Sequence, residues 1–267
     1  MTRIGCAVVL CWIGLASGQQ FPSESRLPTI EEAKKILQAV CPKASHVTPG
    51  KQWDAVCDTF AHAQGAGKTA SITTVIAGRF SQAAVSELVV DFGGQEAHVY
   101  DFGGSVLLRE VNGAWQFVRY EAGFRSTSCS KFPRKDGTSL LLCRGGHSAM
   151  GENSVYLFSY DWSRTRDPET ILLKVVDTRL ECRPTFTAAR LSRFEVRDFN
   201  GDGLPDLGVT AEAGRGRTLK QHTCGKQPVP SMQTFEIQFL FDGKGFRVSP
   251  ATAATKKKLD VIAGGER

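Results

Sequence analysis

The chain has 267 residues, 33 Lys and Arg against 27 Asp and Glu, and a formal net charge of +6. That length suits one or two domains with a sizeable core. An apolar content of 41% with ordinary charge argues against disorder, and 27 glycines against three methionines point to many turns rather than long helices.

The first residues, MTRIGCAVVLCWIGLASGQQ, carry a charged start at Arg3, an apolar run from Ile4 to Leu15 and a small-residue cleavage site at Ala16-Ser17-Gly18. They read as a signal peptide over residues 1–18 and predict a secreted or periplasmic protein. Cys6 is too near the start for a lipoprotein signal, and Leu10 stands before Cys11 where a small residue would be needed. No other long apolar run follows, so no membrane span is expected in the mature chain.

Residues 19–69 form a lead and a helical, disulfide-bearing segment. After QQFPSESRLP, the stretch TIEEAKKILQAVC carries a helix signature. Thr29 can cap with Glu32 three residues on, and Ala33, Ile36, Leu37 and Val40 share one face. The stretch KQWDAVCDTF sets Trp53, Val56, Cys57 and Phe60 at helical spacing, yet it is short enough to be a strand.

Residues 70–250 change to short β runs separated by glycine turns. ASITTVIAGRF, SELVVDF, GSVLLREV, AWQFVRY, SLLLC, SVYLFSYDW, ILLKVVDT, RFEVRDF, DLGVTAEA and TFEIQFLF are each rich in β-branched or aromatic residues. Asn112-Gly113 and Asp242 to Gly245 suit hairpin turns. A faint repeat runs through this region at a spacing of about sixty residues. SELVVDFGG leads to VNGAWQFVRY, and RFEVRDFNGDGLPDLGV leads to FLFDGKGFRV. Between them TSLLLCRGG and SVYLFSYDW form a worn third copy. Residues 251–267, with Lys256-Lys257-Lys258, read as a polar, solvated C-terminal tail rather than a nucleic-acid contact.

Of eight cysteines, Cys6 and Cys11 lie in the signal; Cys41, Cys57, Cys129, Cys143, Cys182 and Cys224 remain. An even set in an exported chain predicts disulfides, with many connectivities open and sequence neighbours favoured: Cys41–Cys57, Cys129–Cys143 and Cys182–Cys224. A zinc site is disfavoured by the absence of any C-x-x-C pair.

The segment DFNGDGLPDLGVT, Asp198 to Thr210, sets acids and an amide at alternate positions of a glycine turn. Calcium takes oxygen ligands offered in this way. Asp198, Asn200 and Asp202 hold positions one, three and five, Gly203 allows the sharp turn, Leu204 can offer its carbonyl, and Asp206 holds position nine. Such acids repel one another without a cation; the alternative is an acidic Asx turn that holds no ion. An EF-hand is excluded, because Val209 stands where its bidentate Glu belongs, Pro205 holds position eight, and the flanks read as strands.

The segment DFNGDGLPDL resembles the D-x-N-x-D-G-x-x-D-L loop of FG-GAP or VCBS repeats, the calcium-binding units of integrin α-chain-like β-propellers. The resemblance implies calcium as cofactor, with Asp198, Asn200, Asp202, Leu204 through its carbonyl, and Asp206 as ligands. It rests on one clear copy. Propellers of that family commonly close about seven four-stranded blades, more than residues 70–250 can build. The expected fold is therefore mainly β: a small or degenerate β-propeller-like array of antiparallel sheets with a short N-terminal helical segment.

Three other stretches resemble catalytic motifs in part. QGAGKTAS ends like a phosphate loop, but His62 stands where its first glycine belongs. GGHSAMG around Ser148 resembles a nucleophile elbow, but Met150 replaces its second glycine and a strand, not a helix, follows. Glu96 and His98 alternate on a strand near Asp101 and could share a proton or a metal, though an ordinary polar strand is the simpler account. The expected function is a non-enzymatic, exported binding module for an unknown protein or glycan, with no nucleic acid as partner and calcium in a structural role. A small extracytoplasmic hydrolase using residues near His98 or His147 is the alternative.

Overall fold

The computed structural model describes residues 21–41, 47–48, 53–56, 69–93, 103–149, 152–179, 184–218 and 230–264. Helix α1 (Ile30–Val40) forms where its sequence calls for it. The Thr29 hydroxyl accepts the Glu32 N–H at 3.2 Å, and the Glu32 carboxylate accepts the Thr29 N–H at 3.3 Å. This reciprocal cap satisfies two backbone donors that the first turn leaves without partners. Arg26 grips Glu32 from outside through both terminal nitrogens, at 2.6 and 2.8 Å. Ala33, Ile36, Leu37 and Val40 are buried, as their spacing predicts.

Strands β1 (Val47–Thr48) and β2 (Trp53–Val56) come next, so KQWDAVCDTF contributes a strand. Three successive four-stranded antiparallel meanders follow. The first is β3 (Thr69–Gly78), β4 (Glu87–Gly93), β5 (Gly104–Val111) and β6 (Ala114–Ala122), extended beyond β3 by β2 and β1. The second is β7 (Cys129–Pro133), β8 (Ser139–Ala149), β9 (Glu152–Tyr160) and β10 (Glu169–Asp177). The third is β11 (Thr185–Arg197), β12 (Asp206–Arg217), β13 (Gln233–Phe241) and β14 (Phe246–Val248). The chain is mainly β. The β5–β6 hairpin turns at Asn112 and Gly113, with φ of 52° and 79°. Two left-handed residues in succession let the turn match the strand twist, which is why Asn-Gly serves there.

The sheets stack in chain order. One face of the first sheet packs on α1 through Ile72, Val75, Leu88, Val90, Val106 and Leu108. Its other face sends Ile76, Val89 and Leu107 against Leu141, Cys143 and Phe158 of the second sheet. The second sheet's far face, with Phe132, Leu140, Leu142 and Leu157, meets Leu207, Val209, Ile237 and Phe239 of the third. Strand β4 is buried along nearly its whole length, its acids Glu87 and Asp91 included. Strand β12 instead alternates, with Leu207, Val209, Ala211 and Ala213 buried and Gly208, Thr210 and Glu212 half-buried on the opposite face. Each fully buried Leu, Val or Phe contributes about 1.5–3 kcal/mol of transfer free energy.

The C-terminal stretch departs from the expected solvated tail. It holds helix α2 (Ala253–Ala263), with Leu259 and Ala263 buried in the core between the second and third sheets. Lys257 and Lys258 are exposed, while Lys256 pairs with Asp260 at 2.7 Å. The lysine run is thus the wet side of a helix whose dry side is only two residues wide. Cys129 and Cys143 face each other across β7 and β8 and are disulfide-bonded. Cys41 is also disulfide-bonded; Cys57, Cys182 and Cys224 lie outside the described residues. Among the described residues no helix is long and apolar enough to cross a membrane.

Candidate metal-binding hairpin

Arg197, the last residue of β11, pairs with Asp206, the first of β12, and residues 198–205 close the hairpin between them. Gly201 and Gly203 adopt φ of 77° and 82°, a region that side chains disfavour. These two turns wrap the backbone around the Asp198 carboxylate. Its Oδ1 accepts the N–H groups of Asn200 (3.1 Å), Gly201 (2.6 Å) and Asp202 (3.3 Å), and its Oδ2 accepts that of Gly203 (2.8 Å). These donors, Gly203 foremost, hold the exposed Asp198 carboxyl below the ordinary aspartate range. Asp202 accepts the Leu204 N–H at 2.9 Å and the Asn200 side-chain amide at 3.1 Å, and its own N–H donates to Asn200 Oδ1 at 2.9 Å.

Asp206 is a different kind of acid. It is 0% exposed. Its Oδ2 accepts the Phe199 N–H at 2.9 Å and its Oδ1 the Phe241 N–H at 2.7 Å, which ties the loop to the end of β13. Among the described residues no Lys, Arg or His pairs with it. Leu204 is half-buried against the core between the second and third sheets.

The donor chemistry of this hairpin suits a hard cation, since the side chains at positions one, three, five and nine offer oxygen alone on the acids and one amide oxygen. A buried carboxylate with two N–H donors and no basic partner points the same way, because backbone dipoles offset only part of a full charge. Three carboxylates do not converge, however: no group of three or more His, Cys, Asp or Glu positioned for a metal occurs among the described residues. The loop oxygens are instead taken up by loop N–H groups.

The motifs with partial catalytic likeness divide in two. Glu96, His98 and Asp101 lie outside the described residues, as do Lys68 and the glycines before it. Ser148 and His147 sit near the end of β8, and β9 begins at Glu152, so a hairpin stands where an elbow would need a helix. His147 is exposed opposite Ser154, and the Ser148 hydroxyl bonds to the Asn153 side-chain carbonyl. Among the described residues, His147 joins no nucleophile or acid.

Two buried acids lie in the first sheet, in the strand SELVVDF. Asp91, 0% exposed, accepts the hydroxyls of Thr73 (2.5 Å) and Ser105 (3.1 Å), the Ser126 N–H (3.0 Å) and Arg125 Nε (3.0 Å). Glu87, 1% exposed, is paired with Arg109 at 3.0 Å. Both knots are fully satisfied. Among the described residues the surface has clefts, two of which lie against the third sheet. One of about 780 Å³ lies where β10, β11 and β12 meet α2, with Lys174, Arg215 and Arg217 on its walls. The other, about 590 Å³, runs between β7 and β11, lined by Glu24, Lys131, Phe132, Arg193, Phe194 and Glu195. Compared with known proteins, the chain matches no family model and no curated sequence.

Proposed function

We propose that the chain is an exported, non-enzymatic binding module of FG-GAP or VCBS type. Its three meanders act as blades of a small, open, propeller-like array. Asp198, Asn200, Asp202, the Leu204 carbonyl and Asp206 would hold one calcium ion, whose role is to neutralise the acids and fix the β11–β12 hairpin. The observation that carries this reading is Asp206: a fully buried carboxylate at position nine of the loop, with no basic partner among the described residues. Face-to-face stacking of consecutive four-stranded meanders supports the propeller-like part. The Cys129–Cys143 bond and the bonded Cys41 support an oxidising compartment, secreted or periplasmic.

A protein or glycan partner would be met at the strand-end loops or in the cleft between β7 and β11, which basic, acidic and aromatic residues line together. The test is thermal unfolding of the purified chain in calcium and in EGTA. Wild type is expected to melt higher in calcium, and Asp202→Ala to abolish that rise. A wild-type melting temperature indifferent to EGTA overturns the calcium reading.

A further inference from the structure

Residues 79–86 join β3 to β4, and residues 198–205 join β11 to β12, so the first two strands of the first and third meanders are linked by loops of one length. Set side by side, RFSQAAVSEL and DFNGDGLPDL share Phe80 with Phe199, Glu87 with Asp206 and Leu88 with Leu207. The shared residues repeat one contact. The Phe80 N–H donates to Glu87 Oε2 at 2.7 Å, and the Phe199 N–H donates to Asp206 Oδ2 at 2.9 Å. Each acid opens the second strand of its meander and is fully buried. Each phenylalanine ring covers a strand glycine, though not the equivalent one: Phe80 covers Gly78 at the end of β3, and Phe199 covers Gly208 in β12. The two hairpins therefore share loop length and an anchoring contact, although their turns differ: Gly201 and Gly203 are left-handed, and no residue of 79–86 is.

What differs is the source of positive charge. In the first loop Arg79, Ser81 and Ala83 replace Asp198, Asn200 and Asp202, so the alternating oxygens are gone. Glu87 instead meets Arg109, its partner in the β4–β5 register. Arg109 reaches Glu87 Oε1 through Nη2 at 3.0 Å and Nε at 3.3 Å, and the Ser81 hydroxyl through Nη2 at 2.9 Å. In the third sheet the register one step beyond Leu207–Phe239 sets Leu240 opposite Asp206. Leu240 offers no charge. Arg247, across from Leu240 on β14, is exposed and makes no ion pair with Asp206. A buried acid gains its stability from a close opposite charge, and the first sheet has built one in.

We infer that Arg109 supplies from within the chain the positive charge that a bound divalent cation supplies to the 198–206 hairpin; this rests on the calcium reading of the preceding section. One fold position thus has two solutions, an internal guanidinium in the first sheet and an external ion in the third. Metal dependence belongs to the β11–β12 hairpin and is exchangeable for protein charge.

Moving that charge tests the inference. Leu240→Arg places a guanidinium at the position in the third sheet that Arg109 occupies in the first, and Leu240→Gln controls for size and polarity. In EGTA, Leu240→Arg is expected to melt about 2–4 °C above Leu240→Gln, and its further rise on adding calcium to be less than half that of wild type. A Leu240→Arg protein that melts no higher than Leu240→Gln in EGTA overturns the inference. Should the arginine not be tolerated, the first sheet gives a second reading. Arg109→Met is expected to lower the melting temperature equally in calcium and EGTA, and adding Glu87→Gln to recover most of the loss. An unrecovered loss, or one that depends on calcium, overturns it. Wild type that ignores calcium removes the calcium reading alone, and the charge inference is then decided by the EGTA comparison.

Discussion

Arg134 forks onto Asp161 across the second sheet, Nη1 to Oδ1 at 3.0 Å and Nη2 to Oδ2 at 2.5 Å, and the two side chains are only 8% and 11% exposed. Arg134 opens the β7–β8 turn and Asp161 the β9–β10 turn. The same guanidinium reaches the Lys244 carbonyl in the β13–β14 turn at 3.3 Å. One side chain thus ties three hairpin ends and joins the second sheet to the third. Replacing one partner leaves the other charge buried alone, at a cost of about 3–5 kcal/mol. Arg134→Met should therefore shift the urea midpoint sharply downward. Asp161→Asn in that background should recover part of the loss, a coupling that a double-mutant cycle measures. Additive losses would show that the fork is not a coupled unit.

Acid should loosen the molecule through specific carboxylates. Burial by itself would raise Glu87, but the Ser81 hydroxyl, the Ser81 and Phe80 N–H groups and Arg109 together hold it below the ordinary value of 4.5. Burial likewise opposes, and Arg134 and Ser163 outweigh it at, Asp161, which lies below 3.8. A depressed folded-state value stabilises the fold above the unfolded value and loses that stability as pH falls through the folded one. Stability should therefore be flat from pH 7 to about 5 and decline below about 4.5. With Glu87→Gln and Arg109→Met together the decline should be shallower, as read from urea midpoints at each pH. An unchanged slope would remove Glu87 from the acid response.

The Cys129–Cys143 bond links directly opposed residues of β7 and β8, both 0% exposed, and closes a sequence separation of 14. A loop of that size restricts the unfolded chain by about 3 kcal/mol. The paired change of both cysteines to alanine should lose about that much, with the enclosed turn as the first region to exchange amide hydrogens. Equal stability of the pair and of wild type would place the bond outside the energetics of the fold.

Much of this architecture is readable from residue patterns, and what is not has a physical cause. The β-branched runs mark most strands because those strands are buried on one or both faces. Strand β7, CSKFP, escapes notice because five residues with a lysine and a proline show no period. The first half of β11, TFTAARLS, packs through small residues, so its alternation is faint. The likeness between the 79–86 and 198–205 loops is hidden as well, since it lies in length, register and two anchor residues. Arg109 within GSVLLREV looks like any strand-end charge until the register sets it against Glu87. The acidic loop, by contrast, is plain in sequence because turns of that kind depend on local residue types.

Helix α2 yields the most economical test of how the stack is closed. Leu259 is 0% exposed and belongs to the core shared by the second and third sheets, while α2 packs against β10, β11, β12 and β13. Arg215 fastens the far end, donating through Nη2 to the Val261 carbonyl at 2.5 Å, one of the last-turn acceptors that the helix itself cannot satisfy. Removing the Leu259 side chain deletes transfer free energy and leaves a cavity, together about 2–5 kcal/mol. Leu259→Ala should therefore destabilise the whole chain in a single transition. A solvated tail would predict no change, and so would a helix docked only in passing. Lys257→Ala, on the exposed side, should leave the midpoint within about 0.5 kcal/mol of wild type. If both substitutions were silent, α2 would be an ornament on the third sheet rather than the element that closes its core.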